Sequence, residues 1–71
     1  MFMEIKNEED AREMLRHWQE KPVPTRKREI RLAIEKLELS CMYYEQKGND
    51  RGAARAMQCI SIISDYLGSL E

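Results

Sequence analysis

Residues 34–63 read IEKLELSCMYYEQKGNDRGAARAMQCISII, and this stretch decides the fold. Before its central KGNDRG segment, apolar residues recur at spacings of three and four, and after it small and apolar residues do the same. The first seam is Ile30, Ile34, Leu37, Cys41 and Tyr44, and the second is Ala53, Ala56, Ile60, Ile63, Leu67 and Leu70. Such spacing places each set along one side of a helix. Two matching seams joined by a very short turn predict an antiparallel helical hairpin.

The ends of the hairpin helices are marked by turn and capping residues. Gly48 is predicted to end the first helix of the hairpin in a left-handed conformation. Asn49 or Asp50 is then placed to cap the next helix. At the other end, Thr25 follows the segment KPVP and is predicted to be the N-cap of the hairpin's first helix.

A further amphipathic segment precedes the hairpin. Asn7 is a good capping residue, and the acidic residues after it suit the positive end of a helix dipole. Ala11, Leu15 and Trp18 follow at spacings of four and three, which makes one apolar side. Pro22 stops this helix, because proline cannot continue a helical hydrogen-bond ladder.

These signals together predict an all-α fold. Three helices are expected at about residues 7–20, 25–47 and 50–68, and no segment shows the alternation of a strand. A chain of 71 residues has room for one domain, which is therefore predicted over 1–71. So short a chain buries only about 60% of its unfolded surface, and its core is correspondingly small.

Composition excludes several classes of protein. Twelve basic and thirteen acidic residues give a net charge of -1, which provides no general attraction to nucleic acid or to an anionic membrane. No apolar run approaches the roughly 18 residues that span a bilayer. The first residues, MFMEIKNEED, lack the basic and apolar regions of a signal peptide. We therefore expect a cytoplasmic protein without a membrane partner.

Residues for catalysis or metal binding are sparse. His17 is the single histidine and has no second ligand at the spacing of a zinc site. Cys41 and Cys59 are expected to be buried, reduced thiols, because packed helix axes are too far apart for a disulfide and because cytoplasmic proteins rarely form one. No glycine loop of the phosphate-binding kind is present. The sequence predicts a protein without catalytic activity, cofactor or metal.

The run YYEQKGNDRGAARAM resembles part of a single tetratricopeptide repeat, and the resemblance extends over residues 37–60. Tyr44, Gly48 and Ala53 match the aromatic, turn and small positions of that family, and Leu37 fits its earlier large apolar position. At later and intervening positions the chain departs from the family, with Cys41, Met57 and Ile60. The resemblance implies a helical hairpin and protein–protein interaction in a general sense, since one repeat does not build the groove of an array.

The predicted second helix has another apolar stripe. Leu32, Leu39 and Tyr43 fall on the side opposite the hairpin seam. A helix that is apolar on two sides must be covered on two sides. Either the first helix covers the stripe through Leu15 and Trp18, or a second subunit or another protein does so.

Charges between the two stripes of this helix are sorted by sign. The basic residues come first and the acidic residues later: Lys27, Arg28 and Arg31, then Glu35, Glu38 and Glu45. This order opposes the helix dipole, so local stability does not explain it. Either a solvated helix tolerates the cost, or the order serves an interface in which two antiparallel copies pair opposite charges.

The resulting prediction for function is a non-catalytic helical protein–protein interaction module, such as a small adaptor, co-chaperone or regulator. It acts by self-association, for which a homodimer is favoured, or by docking on a larger protein. The interaction residues are predicted to be Leu32, Leu39, Tyr43, Lys27, Arg28, Arg31, Glu35 and Glu38. The alternative is a small nucleic-acid-binding regulator that uses the basic start of the second helix, with Arg51 and Arg55 as further phosphate contacts.

Overall fold

The computed structural model describes residues 5–70, which form three helices and, within that range, no strand. The helices are α1 (Glu8–Gln19), α2 (Val23–Gln46) and α3 (Asp50–Leu70), and the all-α prediction is confirmed. The predicted domain of residues 1–71 extends beyond the described residues at both ends.

The first turn of α1 is capped as the sequence predicts. Asn7 has an extended backbone, and its Oδ1 accepts a hydrogen bond from the Asp10 backbone N–H at 2.8 Å. Asp10 Oδ2 in turn accepts from the Lys6 backbone N–H at 3.1 Å. The Asn7 bond satisfies an N–H donor that the helix itself leaves unpaired, and the Asp10 bond ties the preceding residue to the first turn.

The start of α2 differs from the prediction. Thr25 is not the N-cap, because α2 begins at Val23 with Pro22 in the capping position and Pro24 in the first turn. Proline is well suited to a first turn, since its missing N–H has no helical acceptor there and its fixed φ matches a helix. Two prolines therefore allow the helix to begin two residues earlier than the prediction.

Arg26 ties the three helices together at this end of the molecule. Its guanidinium donates to the carbonyl oxygens of Gln19 at 3.1 Å and of Lys21 at 2.9 and 3.2 Å, where α1 ends. It also donates to the Tyr66 hydroxyl of α3 at 3.3 Å. A residue in the first turn of α2 thus caps α1 and reaches α3, which holds the short α1–α2 connection in place.

A Schellman motif ends α2 at the tip of the hairpin. Gly48 has φ 72°, and the backbone N–H groups of Gly48 and Asn49 donate to the carbonyl oxygens of Glu45 and Tyr44 at 3.1 and 2.8 Å. Asn49 Oδ1 then accepts from the Gly52 backbone N–H at 2.9 Å, which caps α3. The predicted roles of Gly48 and Asn49 are both confirmed, and the two long helices pack antiparallel as a hairpin.

All three helices contribute to the main core. Its buried members are Ala11, Met14, Trp18, Ile30, Ala33, Leu37, Cys59 and Ile63. A second and smaller cluster fills the tip of the hairpin with Cys41, Ala53 and Ala56, against which Tyr44 packs. The small side chains of this cluster allow α2 and α3 to approach closely near the turn.

The buried arc of the hairpin is wider than its two seams predict. Ala33 and Cys59 belong to neither seam, yet they are among the most buried residues of the protein. Ile34 and Ile60 belong to the seams and are only partly buried. The reason is α1, which packs along one side of the hairpin and shifts the centre of the core toward itself.

Truncation of Ile63 should therefore cost more than truncation of Ile60. Ile63→Ala is expected to lower the free energy of unfolding by about 2–5 kcal/mol, because Ile63 is fully buried and a cavity remains. Ile60→Ala should cost clearly less, since its side chain already contacts solvent. Urea denaturation followed by circular dichroism measures both. If Ile63→Ala leaves too little folded protein, Ile63→Val should still show a loss of about 0.5–1.5 kcal/mol. Equal losses for Ile60→Ala and Ile63→Ala would contradict this description of the core.

The two glycines inside α3 give a second prediction. A Cβ at Gly52 would lie 2.8 Å from two carbons of the Tyr44 ring, whereas a Cβ at Gly68 would meet nothing within 4 Å. Gly68→Ala should raise the free energy of unfolding by up to about 1 kcal/mol through helix propensity alone. Gly52→Ala should lower it, because the ring must move. Thermal denaturation of the two variants should shift the midpoint in opposite directions, and a gain from Gly52→Ala would contradict this packing.

Candidate interaction surface on α2

Large apolar side chains are exposed along the side of α2 that faces away from the core. Leu32, Leu39, Met42 and Tyr43 are 48%, 66%, 56% and 56% exposed, and they form what we call the outer face of α2. Two other large apolar side chains are exposed among the described residues, Val23 and Met57. The outer face is thus the place where such residues are concentrated, and contiguous exposed apolar patches mark interaction sites.

The outer face is exposed because α1 does not cover it. α1 packs mainly against α3, and Trp18 lies fully buried in the core that Ile30 and Ala33 line from α2. Leu15 is partly buried against the same core. Of the two alternatives for covering the stripe, the one in which Leu15 and Trp18 cover it is therefore wrong. Both helices that pack on α2 lie on its inner side, and the stripe of Leu32, Leu39 and Tyr43 remains open.

Met42 joins this surface, which the sequence did not predict. It falls on the polar arc of α2, but it follows Leu39 by three residues, and side chains three residues apart are neighbours on a helix. A shallow depression is lined by Glu35, Glu38, Leu39 and Met42. The position of Met42 three residues after Leu39 is the sequence signal that could have identified it. Met42 extends the outer face toward the acidic side chains.

Tyr43 is held in a defined position although it is exposed. Its ring lies 5.8 Å from the Tyr44 ring in an edge-to-face arrangement, with an angle of 66° between the planes. The Lys47 ammonium lies 5.7 Å from the centre of the same ring. Aromatic pairs and cations over aromatic rings are weakly attractive, so Tyr43 offers an oriented apolar surface rather than a freely rotating one.

The charged residues predicted for this site all lie on α2, and most are exposed. Arg28, Arg31, Glu35 and Glu38 are exposed, and Lys27 is partly buried. The first turn of α2 contains no acidic residue and the last turn no basic residue, the reverse of what the helix dipole favours. The structure therefore keeps the gradient from basic to acidic beside the outer face.

The basic residues predicted to contact nucleic acid in the alternative function are divided between the two ends of the molecule. Arg51 and Arg55 lie at the start of α3, in a groove that Glu8, Glu9 and Arg12 of α1 also line. The basic start of α2 lies at the other end, where Arg26 bonds to Tyr66 near the end of α3. The antiparallel hairpin thus separates the two basic groups, and carboxylates interrupt one of them.

Both cysteines are buried free thiols, as predicted. Cys41 lies in the tip cluster, where its Sγ is 3.6 Å from Glu45 Oε1 and 3.7 Å from the Ala53 carbonyl oxygen. Cys59 lies in the main core. Burial raises the pKa of each thiol above its ordinary value, and neighbouring carboxylates add to the effect, Glu45 at Cys41 and Glu8 at Cys59. These thiols are packing residues with little thiolate character.

Other chemistry at the surface is limited in the part of the chain that the structure describes. Residues 5–70 contain no group of three or more histidine, cysteine or acidic side chains that could hold a metal ion. His17 lies on the exposed side of α1 beside Glu13, Arg16 and Glu20. None of the three helices, over their described residues, is long and apolar enough to cross a membrane.

Comparison with protein-family models, with curated proteins and with solved structures finds no match. The resemblance to a tetratricopeptide repeat therefore stays a resemblance of single positions. At those positions the structure shows a plain packing reason for each residue. Gly48 forms the left-handed turn, Ala53 is buried at the close approach of the two helices, and the Tyr44 ring packs over Gly52.

The raised thiol pKa values predict a pH dependence of stability. A folded chain that holds these protons more tightly than the unfolded chain loses stability as the pH rises above the ordinary thiol pKa of 9.0. Urea denaturation at about pH 7 and about pH 9.5 should show this loss. The double variant Cys41→Ala, Cys59→Ala should lose less over the same range, because it has no thiols to titrate. An equal loss in both proteins would show that the thiols do not contribute.

Proposed function

We propose that this chain is a non-catalytic helical protein–protein interaction module, a small adaptor, co-chaperone or regulator, whose contact surface is the outer face of α2. The observation that carries the proposal is the exposure of Leu32, Leu39, Met42 and Tyr43 together on one side of one helix. These side chains are already about half covered, so burying the rest of each contributes roughly half of the 1.5–3 kcal/mol of full burial, and together they favour association.

The spacing of these side chains suits binding between helices. Leu32, Leu39 and Met42 or Tyr43 follow one another at the seven- and three- or four-residue intervals of anchors on one helix side. Such anchors fit an apolar groove or a matching helix of the partner. Tyrosine is also among the residues that contribute most at protein interfaces, and Tyr43 is oriented by Tyr44 and Lys47.

The hairpin supplies a rigid support for this surface. The inner side of α2 is anchored by Ile30, Ala33, Leu37 and Cys41, which are all buried. A partner therefore meets a helix that is already formed and positioned, and little conformational entropy is lost on binding. We place this activity in the cytoplasm, where buried free thiols such as Cys59 remain reduced.

The alternative of a nucleic-acid-binding regulator has less support. Phosphate contacts need a basic surface that follows the nucleic acid backbone. Arg51 and Arg55 share their groove with Glu8 and Glu9, and the basic start of α2 is at the opposite end. A labelled DNA duplex or single-stranded RNA at low salt provides the direct check by fluorescence anisotropy, and saturable binding would favour this alternative.

Site-specific photo-crosslinking tests the proposal. Leu39 is replaced by a benzophenone amino acid, and Met57 is replaced in the same way as the control, because Met57 is equally exposed but lies on α3. In extract of the native cells, position 39 should crosslink to a discrete protein that mass spectrometry identifies. Position 57 should not give that product. Equal products from both positions, or none from either, would contradict a contact surface on α2.

Single substitutions then separate binding from folding. Leu39→Glu should reduce the affinity of the purified module for the crosslinked protein by at least about tenfold, while circular dichroism and the denaturation midpoint stay close to the wild type. Met57→Glu should change neither. Isothermal calorimetry measures the affinity. Unfolding by Leu39→Glu would instead mean that this side chain supports the fold.

A further inference from the structure

We infer that the protein covering the outer face of α2 is a second copy of this chain, with the two α2 helices packed antiparallel about a two-fold axis. This inference rests on the proposed function, because it names the occupant of the same surface. It is carried by the charges beside the outer face, which run from basic to acidic along α2. A surface that reads basic to acidic in one direction is complementary to itself when reversed.

Geometry restricts which charges meet in such a dimer. A two-fold axis perpendicular to two facing helices reverses their direction but keeps each flank of one helix opposite the same flank of the other. Arg31 and Glu38 follow at an interval of seven residues, so they occupy one flank of α2. Reversal of that flank brings its basic half against the acidic half of the second copy.

The apolar side chains indicate the register. When Leu32 of one copy faces Leu39 of the other, the axis passes between Glu35 and Lys36. In this register Arg31 lies near Glu38 of the second copy. The same alignment therefore pairs leucines at the centre of the interface and opposite charges along its flank.

Helix dipoles favour the antiparallel arrangement over a parallel one. Antiparallel packing aligns the dipoles of the two α2 helices favourably, which parallel packing does not.

The size of the surface predicts a dimer of modest affinity. α2 has 24 residues and is about 36 Å long. Pairing along it buries on the order of 1,000 Å² in total, near the lower limit of specific interfaces. The dimer should therefore form and dissociate over an accessible range of concentrations. Its flank of ion pairs should make it weaker at high salt.

Sedimentation equilibrium of the purified wild-type chain measures this directly. We expect a monomer–dimer equilibrium that shifts toward monomer when the salt concentration rises. Leu39→Glu should be monomeric over the same concentrations, and Met57→Glu should dimerise like the wild type. Should Leu39→Glu fail to fold, Leu39→Ser replaces it. A wild-type chain that stays monomeric up to about millimolar concentration overturns the inference.

Charge reversal tests the antiparallel arrangement. Arg31→Glu alone and Glu38→Arg alone should each weaken the dimer by about tenfold, since each sets like charges against one another across the interface. The double variant Arg31→Glu, Glu38→Arg should return to within about threefold of the wild type. The two residues are seven apart on one helix and too distant to compensate within a chain. No recovery in the double variant overturns the antiparallel pairing.

Substitution of Glu35 tests the register through an expected gain in dimer affinity rather than a loss. Because the axis passes beside it, the two copies of Glu35 approach each other, and their like charges oppose association. Glu35→Gln should therefore strengthen the dimer by several-fold, whereas Glu38→Gln should weaken it. A weaker dimer from Glu35→Gln would overturn the register in which Leu32 faces Leu39.

The outcomes separate this inference from the proposed function. A monomeric wild type whose position 39 still crosslinks to a different protein leaves the interaction module standing and overturns the second copy as its occupant. A crosslink from position 39 to the same chain, with the mass of a dimer, supports both. A monomer without any crosslink at position 39 overturns both.

Discussion

The docking of α1 on one side of the hairpin is the constraint on which the rest of the structure depends. Trp18, the single tryptophan of the chain, is fully buried among residues of α2 and α3. Its indole N–H has no hydrogen-bond partner among the described residues, so its burial is driven by apolar contact alone. Because α1 has 12 residues and uses its apolar side here, it has nothing left to cover the far side of α2.

This arrangement divides the hairpin into two parts. Near the α1–α2 connection three helices share a core, and Arg26 links them by hydrogen bonds to Lys21 and Tyr66. Toward the tip the buried cluster comes from α2 and α3, and small residues such as Ala53 and Ala56 allow close contact. The part of the outer face that includes Leu39, Met42 and Tyr43 lies along the two-helix region. An apolar surface there has little bulk behind it, and a partner that covers it would also stabilise the tip.

The sequence predicted the hairpin well because its determinants are local. Gly48 and Asn49 act through backbone bonds within a few residues, and a heptad seam depends only on spacing. The side of the hairpin on which α1 packs is determined by tertiary contacts, and the spacing of apolar residues within α1 does not reveal it. The packing of α1 on that side buries Ala33 and Cys59, which belong to neither seam. For the site, Leu32, Leu39 and Tyr43 were predicted from periodicity, whereas Met42 was hidden on a polar arc until the exposed surface was known.

The contrast between α1 and α2 bears on why the charge order of α2 exists. α1 has acidic residues in its first turn and Arg16 and His17 in its last, which is the order that the helix dipole favours. α2 has neither feature, and its basic residues precede its acidic ones. Within the chain this order costs a few tenths of a kcal/mol for each charge at a helix end. A chain with so small a core has little stability to lose, and the proposed interface would supply a reason for this order that lies outside the chain. In the proposed dimer, the outer face of α2 would bring those charges together.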